Sequence, residues 1–261
     1  MNFLKLDGAG NDFVVFDNRS GGLRLSQSEV ARICNRRCGV GADGLLLLNA
    51  SSGDADFDMA YFNSDGSTGM MCGNGGRCIA LFAMLLGIGS RLRFNASDGV
   101  HEASVLQWDA KQRSGLVRLG MKDVEKKELR PILQGWYVNT GAPHYVQPVN
   151  NLQSFDVENE GRKLRYCEEL FPGGTNVDFV EMQGDGGMAV RTYERGVESE
   201  TLACGTGVTA SALVTGCKKI AARGGLFEVD YIEDSQAFAR VSLTGPVALN
   251  FTGEWLFDNE R

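Results

Sequence analysis

Two cysteines stand where the chain could carry out proton-transfer chemistry. Cys72 and Cys204 each open a glycine-rich stretch, Cys72-Gly73-Asn74-Gly75 and Cys204-Gly205-Thr206-Gly207, and a largely apolar segment follows each of them. A helix that starts there leaves its first backbone N–H groups unpaired and carries partial positive charge. A thiol at such a position ionises more easily, and the same N–H groups can hold a carboxylate. Two such thiols, one ionised and one protonated, could remove a proton from one face of a carbon and return one to the other.

A single buried cysteine is usually a small hydrophobic residue with no chemical role. The repeated Cys-Gly-X-Gly pattern favours a functional interpretation for this pair. The chain has seven cysteines, and this odd number argues against a disulfide framework. The following cysteines lack the glycine-rich setting, and we interpret them as structural: Cys34, Cys78, Cys167 and Cys217.

The composition excludes several classes of protein. The net charge of the 261 residues is −7, and no basic stripe suggests binding to nucleic acid. No signal region is recognisable at Met1, and no apolar run approaches the roughly 20 residues of a membrane span. We therefore expect a cytoplasmic protein that acts on a small molecule, with neither nucleic acid nor membrane as a partner.

The sequence repeats itself at half its length. Gly141-Ala142 follows Gly8-Ala9 at a distance of 133 residues, Gly174 follows Gly41 at 133, and Cys204 follows Cys72 at 132. Three landmarks in the same order at nearly one offset predict two copies of one domain. We place the first copy at residues 1–121 and the second at 122–249, and we expect residues 250–261 to return to the first.

The pattern of apolar residues predicts many strands and few helices. An amphipathic helix is predicted over Ser28–Arg37, with Ser26 and Glu29 as its capping box. The segments Gly75–Leu86 and Gly207–Thr215 are apolar almost all round, so each must be a helix that is buried on all sides.

Short strands with alternating or continuous apolar residues account for most of the remaining pattern. They are Asp12–Asp17, Gly44–Leu48, Phe57–Phe62, Arg91–Asn95 and Leu116–Met121 in the first copy, and Trp136–Asn139, Val177–Met182, Met188–Glu194, Leu226–Ile232 and Phe238–Leu243 in the second. The expected fold class is therefore α/β (α+β), with two pseudo-symmetric repeats. Each repeat is a curved, mostly antiparallel sheet wrapped around a central buried helix.

Other motifs do not favour a different chemistry. Gly39–Gly44 fits a dinucleotide-binding pattern, but a helix precedes it and a strand follows, which is the reverse of the required order. A zinc site from Cys34, Cys38, Cys72 and Cys78 is disfavoured because the second spacing is too wide. His101 lies in a strand-like stretch and is interpreted as structural. His144 stands where the other copy has Asn11, and the pattern alone leaves open whether it contacts a substrate.

Taken together, the motifs resemble those of the diaminopimelate epimerase family, and the resemblance covers nearly the whole chain. The motifs that carry it are Gly8–Phe13, Gly39–Gly44, Phe62–Gly66, Cys72–Arg77, Pro143-His144, Thr175-Asn176, Tyr193–Gly196 and Cys204–Gly207. The resemblance implies the interconversion of LL- and meso-diaminopimelate, a precursor of lysine and of the cell wall. It also implies a reaction that uses neither pyridoxal phosphate nor a metal.

The resemblance further implies roles for individual residues. Cys72 and Cys204 are the base and the acid, and His144 and Glu194 support these thiols. Two groups of residues hold the substrate: Gly73, Asn74, Gly205 and Thr206 bind the reacting carboxylate, and Asn11, Asn63, Asn176, Glu194 and Arg195 bind the rest. A guanidinium such as that of Arg195 suits a distal carboxylate.

Two positions depart from the family pattern. Ala142 stands where relatives often have Asn, and Gly44 where some have Gln, so the substrate is less firmly implied than the reaction. The alternatives are a racemase of the same fold that acts on proline, hydroxyproline or histidine, and a thiol protein that binds ligands or undergoes redox reactions without catalysing epimerisation. Proline-type relatives tend to have histidine where this chain has Asn74, and Ser-Pro where it has Leu202-Ala203. A homodimer is the expected assembly.

Overall fold

The computed structural model describes residues 1–51, 53–69, 71–184 and 186–257. The chain forms two compact units, one from Met1–Leu119 together with the chain from Pro246 onward, and one from Gly120–Gly245. The chain returns to the first unit within one long strand, Ala237–Glu254. The halves expected from the repeat, 1–121 and 122–249, end a few residues later than these units. Part of the expected return segment, 258–261, lies outside the described residues.

Strands are the commonest element, with four α-helices among the described residues. The first unit contains β1 (Asn2–Gly8), β2 (Asn11–Asn18), α1 (Gln27–Cys34), β3 (Gly44–Asn49), β4 (Phe57–Asn63), α2 (Gly73–Leu85), β5 (Arg91–Ala96), β6 (Gly99–Asp109) and β7 (Ser114–Gly120). The second contains β8 (Val124–Glu125), β9 (Arg130–Ile132), β10 (Gly135–Asn139), β11 (Pro143–Pro148), α3 (Val157–Arg165), β12 (Asn176–Met182), β13 (Met188–Glu194), β14 (Ser199–Thr201), α4 (Gly205–Thr215), β15 (Lys219–Ala222) and β16 (Gly225–Glu233). The strand β17 (Ala237–Glu254) belongs to both.

The two units repeat one topology. In the first, β1 and β2 are antiparallel, β2 and β3 parallel, β3 and β4 antiparallel, β4 and β5 parallel, and β5 and β6 antiparallel. The second unit follows the same order through β10, β11, β12, β13, β15 and β16. The helices α1 and α3 precede the third strand of each series, and α2 and α4 precede the fifth. The predicted repeat is therefore a repeat of structure.

Each unit surrounds one helix with its sheet. The helix α2 packs on β1, β2, β3 and β6, and its residues 74–83 are all buried. The helix α4 packs on β10, β11, β12, β13, β15 and β16 and is buried over most of its length. Both begin two residues earlier than predicted, directly after their N-cap residues Cys72 and Cys204. The predicted fold class, with a central buried helix in each repeat, is confirmed.

A strand between two helical layers must bury both of its faces. On β2, the four residues from Phe13 to Phe16 are all fully buried. The ring of Phe13 lies beside Gly75 of α2, whereas Val14 and Phe16 pack with Val30 and Ile33 of α1 on the other face. The continuous apolar run in this strand follows from its central position.

The helix predicted over Ser28–Arg37 ends earlier, at Cys34. Its capping box is as predicted, since the Glu29 N–H donates to Ser26 Oγ at 3.3 Å and the Ser26 N–H donates to Glu29 Oε2 at 2.8 Å. Asn35 is extended, and its side-chain oxygen accepts from the N–H groups of Arg37 and Cys38 at 2.8 and 2.9 Å. This local competition for backbone donors ends the helix.

The last strand is much longer than the predicted Phe238–Leu243. It continues through Pro246, a residue that has no N–H to donate to a sheet. The pairing of β17 with β16 reaches Thr244, and its pairing with β1 begins at Ala248. Pro246 lies between these two ladders, so neither needs its missing donor.

Several short or polar elements are not predicted by the sequence pattern. The helix α3 contains Gly161 and is polar at most positions, so its helical signal is weak. A Cβ atom at Gly161 would lie 2.4 Å from Tyr193 Cβ, so a glycine is needed for the helix to approach the sheet. The strands that the pattern leaves unassigned are β1, β6, β8, β9, β11, β14 and β15. Across the described ranges, no helix is both long and apolar enough to span a membrane.

Truncation of Leu81 should destabilise the first unit strongly. Leu81 is fully buried on α2, whereas Leu85, on the same helix, is 37% exposed. We expect Leu81→Ala to lower the free energy of unfolding by about 2–5 kcal/mol and Leu85→Ala by less than about 1 kcal/mol. Urea denaturation of both variants measures the difference. Equal losses would contradict the placement of α2 at the centre of the unit.

Candidate active site

In the first unit, Cys72 lies close to two of the predicted site residues. Its Sγ atom is 3.7 Å from Asn11 Oδ1, and Asn74 Nδ2 is 3.5 Å from the same oxygen. Asn11 Nδ2 donates to Asp43 Oδ2 at 2.8 Å. This bond fixes the amide so that its oxygen faces the sulfur and its nitrogen faces away.

A network of charges holds the strand ends that carry Asn11. Arg36 donates to both carboxylate oxygens of Asp12, at 3.0 and 2.7 Å, and to Asp43 at 2.7 Å. The buried Lys5 lies 2.7 Å from Asp12 and also donates to the Gly41 carbonyl. Burial alone would raise the pKa of Asp12, but the hydrogen bonds from Arg36 and Lys5 hold it well below its usual range. Asp43 and Arg36 therefore position Asn11.

Arg77 places a positive charge inside the otherwise apolar helix α2. The residue is fully buried; its Nη2 donates to Asn74 Oδ1 at 2.8 Å and its Nη1 to the Gly73 carbonyl at 3.3 Å. Burial lowers the pKa of Arg77, and negative charge on the sulfurs of Cys78 and Cys72 acts in the opposite direction. The guanidinium therefore orients Asn74 and favours negative charge at the helix start.

In the second unit, a chain of buried polar groups leads to Cys204. The Cys204 sulfur is 3.3 Å from Thr206 Oγ1, which is 2.8 Å from His144 Nε2. His144 Nδ1 is 2.7 Å from Asp178 Oδ2, and the Thr192 hydroxyl donates to Asp178 Oδ1 at 2.6 Å. His144 and Asp178 are inaccessible to solvent. Helix α4 and strands β11, β12 and β13 bring these groups together.

The remaining predicted residues of this unit lie at the ends of β12 and β13. Asn176 Nδ2 donates to the Pro143 carbonyl at 2.9 Å, and Asn176 Oδ1 accepts from the Arg195 N–H at 2.8 Å. Asn176 thus ties three neighbouring strand ends together. The Arg195 guanidinium is exposed and donates to the Gly173 carbonyl at 3.2 Å. Thr201 Oγ1 donates to Glu194 Oε2 at 2.9 Å.

The surroundings of Cys204 favour the thiol over the thiolate. Burial raises the pKa of Cys204 well above its usual value, and the negative charges of Glu194 and Asp178 raise it further. Hydrogen bonds from the Thr206 hydroxyl and the Gly207 N–H act in the opposite direction and lower it. The sulfur can therefore donate a proton at neutral pH.

The structure brings most predicted site residues into two clusters. In the first unit the cluster is Asn11, Cys72, Gly73 and Asn74; in the second it is His144, Asn176, Glu194, Arg195, Cys204, Gly205 and Thr206. Asn63 is bonded to a residue outside the first cluster, since its Nδ2 donates to Ser67 Oγ at 3.0 Å. A group of three or more His, Cys, Asp or Glu side chains that could bind a metal is not found among the described residues.

The two departures from the family pattern have local structural settings. Gly44 pairs with Asn63 across β3 and β4, and a Cβ atom at Gly44 would lie 2.5 Å from the ring of Tyr61. A larger side chain at Gly44 would therefore require Tyr61 to move. Ala142 lies in the turn between β10 and β11, where its carbonyl accepts from the Thr140 N–H at 3.2 Å.

Sequence reasoning missed several residues that position the site. They are Asp43, Arg36, Arg77, Asp178 and Thr192. A usable signal existed for two of them: Arg77 is charged within an apolar helix, and Asp178 is charged within the apolar strand Val177–Met182. An ionisable group between buried apolar residues needs a partner, which marks it as a candidate for a site.

The chain is similar to known proteins over most of its length. A family profile described as diaminopimelate epimerase matches residues 3–125 and 136–249. The diaminopimelate epimerase of Chlorobaculum tepidum is 48% identical over 218 residues, covering 80% of this chain and 81% of that protein. That of Flavobacterium psychrophilum is 40% identical over 264 residues, covering 96% and 98%.

Solved structures share the fold at low sequence identity. A probable proline racemase from Agrobacterium radiobacter K84 has a TM-score of 0.70 and 17% identity, covering 98% of this chain and 93% of that one. A hydroxyproline epimerase from Agrobacterium vitis has a TM-score of 0.65 and 15% identity, covering 97% and 90%. Identities of 15% and 17% to these structures establish the fold alone. The family profile and the relatives at 40–48% identity establish the family as well. This chain belongs to the diaminopimelate epimerase family.

Proposed function

We propose that this protein interconverts LL- and meso-diaminopimelate, with Cys72 and Cys204 as the two groups that exchange the α-proton. The observation that carries the proposal is the equivalent position of the two cysteines, each the N-cap of the central buried helix of its repeat. The family supports the reaction and the substrate, since the chain is 40–48% identical to proteins named diaminopimelate epimerase. The protein is thus an isomerase.

The helix starts supply the electrostatic part of the mechanism. The α-proton of an amino acid is very weakly acidic, so its removal needs stabilisation of the negative charge that grows toward the carboxylate. The first backbone N–H groups of α2 and α4, at Gly73, Asn74, Gly205 and Thr206, are suited to this carboxylate. Inversion then requires that the two thiols act on opposite faces of one α-carbon.

The surroundings of each cysteine suggest its state before reaction. We assign the resting thiol to Cys204, because burial and the charges of Glu194 and Asp178 favour its protonated form. We assign the resting base to Cys72, beside which the buried guanidinium of Arg77 favours negative charge. The roles exchange when the reaction runs in reverse.

The distal end of diaminopimelate is a second amino-acid group, with its own carboxylate and ammonium. Arg195 suits the carboxylate and Glu194 the ammonium, and the bond from the Arg195 N–H to Asn176 fixes the turn that carries both. Asn11 and Asn63 of the first unit are the other residues proposed to hold this part of the substrate. A proline substrate would have no use for this pair of charges.

Cytoplasmic location and a homodimeric assembly remain predictions. The alternative functions, a racemase for proline, hydroxyproline or histidine and a non-catalytic thiol protein, are separated from epimerisation of diaminopimelate by one assay. Chiral chromatography of LL-diaminopimelate, proline and histidine after incubation with the protein should show conversion of the first alone. A redox or binding protein would leave all three unchanged.

Replacement of either cysteine by alanine should abolish epimerisation. Each variant removes one of the two proton carriers, so we expect kcat/KM to fall by far more than tenfold, which corresponds to about 1.4 kcal/mol. Circular dichroism checks that the fold is intact. A variant at Cys72 or Cys204 that kept a tenth of the wild-type kcat/KM would rule out the two-thiol mechanism.

Deuterium incorporation provides a second measure of the same mechanism in the wild-type protein. With separate groups on opposite faces, the proton that is removed is not the one returned. Product formed early in heavy water should therefore carry deuterium at the inverted carbon, while recovered substrate carries little. Mass spectrometry of both stereoisomers at low conversion decides this point, since product that retained its original proton would indicate a single base.

Alkylation of Cys204 should require a higher pH than alkylation of a free cysteine peptide. Below the pKa of Cys204 the sulfur stays protonated, and only the thiolate reacts with iodoacetamide. Glu194→Gln removes a negative charge that raises this pKa, so the midpoint of the alkylation curve should move to lower pH. Site-resolved mass spectrometry in a Cys72→Ala background follows the reaction. An unchanged midpoint in the Glu194 variant would contradict the electrostatic assignment.

Arg195→Ala should raise KM for diaminopimelate much more than it lowers kcat. Loss of a charge-assisted partner for the distal carboxylate should cost about 2–3 kcal/mol, or roughly 30- to 150-fold in KM. Arg162→Ala removes another exposed arginine of the same unit and serves as the control. Steady-state kinetics measure both. An unchanged KM in the Arg195 variant would indicate a substrate without a distal carboxylate.

A further inference from the structure

We propose that Asp178 is a positioning residue that, through His144 and the Thr206 hydroxyl, forms a proton relay to Cys204. This inference deepens the proposed function and rests on the role of Cys204 as an acid and base. The sequence resemblance gives no role to Asp178.

The relay is a continuous line of short contacts inside the second unit. Asp178 Oδ2 to His144 Nδ1 is 2.7 Å, His144 Nε2 to Thr206 Oγ1 is 2.8 Å, and Thr206 Oγ1 to the Cys204 sulfur is 3.3 Å. His144 and Asp178 are fully buried and Cys204 is buried, while Thr206 is partly buried. The His144–Asp178 end of the relay is therefore shielded from solvent.

Counting donors and acceptors fixes the direction of the relay. An ionised Asp178 can only accept, so the proton of a neutral His144 must reside on Nδ1. The Nε2 atom is then an acceptor, and the Thr206 hydroxyl donates its only proton to it. Toward the sulfur, the Thr206 oxygen is left as an acceptor, so Cys204 must be the donor and hence a thiol.

A second arrangement of the same protons gives the thiolate. The Cys204 proton passes to Thr206 Oγ1 while the Thr206 proton passes to His144 Nε2. The result is a thiolate, an intact hydroxyl that now donates to it, and an imidazolium beside the Asp178 carboxylate. No proton enters or leaves the relay, and the carboxylate compensates the buried positive charge, which would otherwise be costly.

The relay explains how Cys204 can become a thiolate in surroundings that favour its thiol. Burial together with the negative charges of Glu194 on β13 and Asp178 on β12 disfavours the thiolate, yet the reverse reaction needs Cys204 as a base. A histidine that can take up the proton within the same buried cluster gives the thiolate a nearby positive partner. Glu194 and Asp178 are the acidic groups that raise the pKa of Cys204. Within the relay the basic group is His144, which contacts Thr206.

The glycine-rich turn leaves room for Asp178. A Cβ atom at Gly207 would lie 2.3 Å from Asp178 Oδ1 and 3.2 Å from His144 Cε1. The carboxylate and the imidazole thus occupy the space that any larger residue at Gly207 would need. Thr192 holds the other carboxylate oxygen at 2.6 Å, so Asp178 cannot turn away without losing that bond.

The tautomer of His144 tests the relay in the unmodified protein. The chain has two histidines, so long-range proton–nitrogen NMR spectra contain two imidazoles, and His101→Gln identifies the one that remains. We expect the neutral His144 to carry its proton on Nδ1. A neutral His144 with its proton on Nε2 would overturn the proposal, whatever the activity of the protein.

Two substitutions at Thr206 test the link to the sulfur. In a Cys72→Ala background, Thr206→Val should shift the midpoint of Cys204 alkylation to higher pH, because the hydroxyl bond to the sulfur is lost, while Thr206→Ser should keep the wild-type midpoint. Thr215→Val is the control, since it removes a hydroxyl bond to Ser211 near the other end of α4. Equal midpoints for valine and serine would overturn the relay.

Asp178→Asn tests the carboxylate itself. Without the carboxylate the His144 Nδ1–H loses its ionised acceptor. The neutral imidazole should therefore lose its preference for the Nδ1 tautomer in the same NMR spectra, and kcat/KM should fall at least tenfold. A neutral His144 that still keeps its proton on Nδ1 alone would overturn the role of Asp178. The NMR readout needs no substrate, so loss of the relay is distinguishable from failure of the proposed function, which would appear as a wild-type protein inactive on diaminopimelate.

Discussion

The structure depends on one constraint: a helix buried inside a sheet still has N–H groups in its first turn that lack partners within the helix. In the middle of α2 and α4 the backbone groups are satisfied by the helix, and most side chains are apolar and buried. The helix start is therefore a part of each central helix that requires polar partners. Cysteine at both N-caps places a weak acid beside the partial positive charge of a helix start. The candidate site thus lies at the start of the central helix of each repeat, at Cys72–Gly75 and at Cys204–Gly207.

The remaining elements can be understood as support for these helix starts. In the first unit, Asp43 and Arg36 fix Asn11 against Cys72, and Arg77 fixes Asn74. In the second, Asn176 ties the ends of three strands together beside His144. Arg77, Asn74 and Asn176 are buried residues of helices or strands, so packing sets their positions. Arg36 and Asp43 are exposed and lie between α1 and β3, so they act through their ion pair and hydrogen bonds. Loops contribute the turns at Gly141 and Gly196, where positive φ angles of 114° and 96° favour glycine.

The sequence allowed the fold class, the repeat and the two helix starts to be predicted, because each depends on local patterns of apolar and glycine residues. It did not predict α3, although α1 and the repeat together implied a helix there. Its many polar residues concealed it, since the face that packs on the core is narrow: Val157 and Gly161 are buried, and Leu164 packs against the same core. The end of α1 depends on the hydrogen bonds of the Asn35 side chain. The length of β17 depends on its pairing with β16 along one part and with β1 along another. Contacts such as that of Asp178 with His144 join residues 34 positions apart, and no local pattern records them.

The repeat also shows that two equivalent helix starts have different charged neighbours. The residue equivalent to Arg77, 132 positions later, is Thr209, and both side chains donate to the carbonyl of the first helical residue, at 3.3 and 2.9 Å. The first copy thus has a buried cation where the second has a neutral hydroxyl. Conversely, Asp178 stands 133 positions after Leu45, so the second copy has a buried carboxylate where the first has an apolar side chain. The two copies share the position of the cysteine at the helix start, whereas the charged side chains near it differ. This difference in charged neighbours supports the proposed assignment of the resting base to Cys72 and of the resting thiol to Cys204.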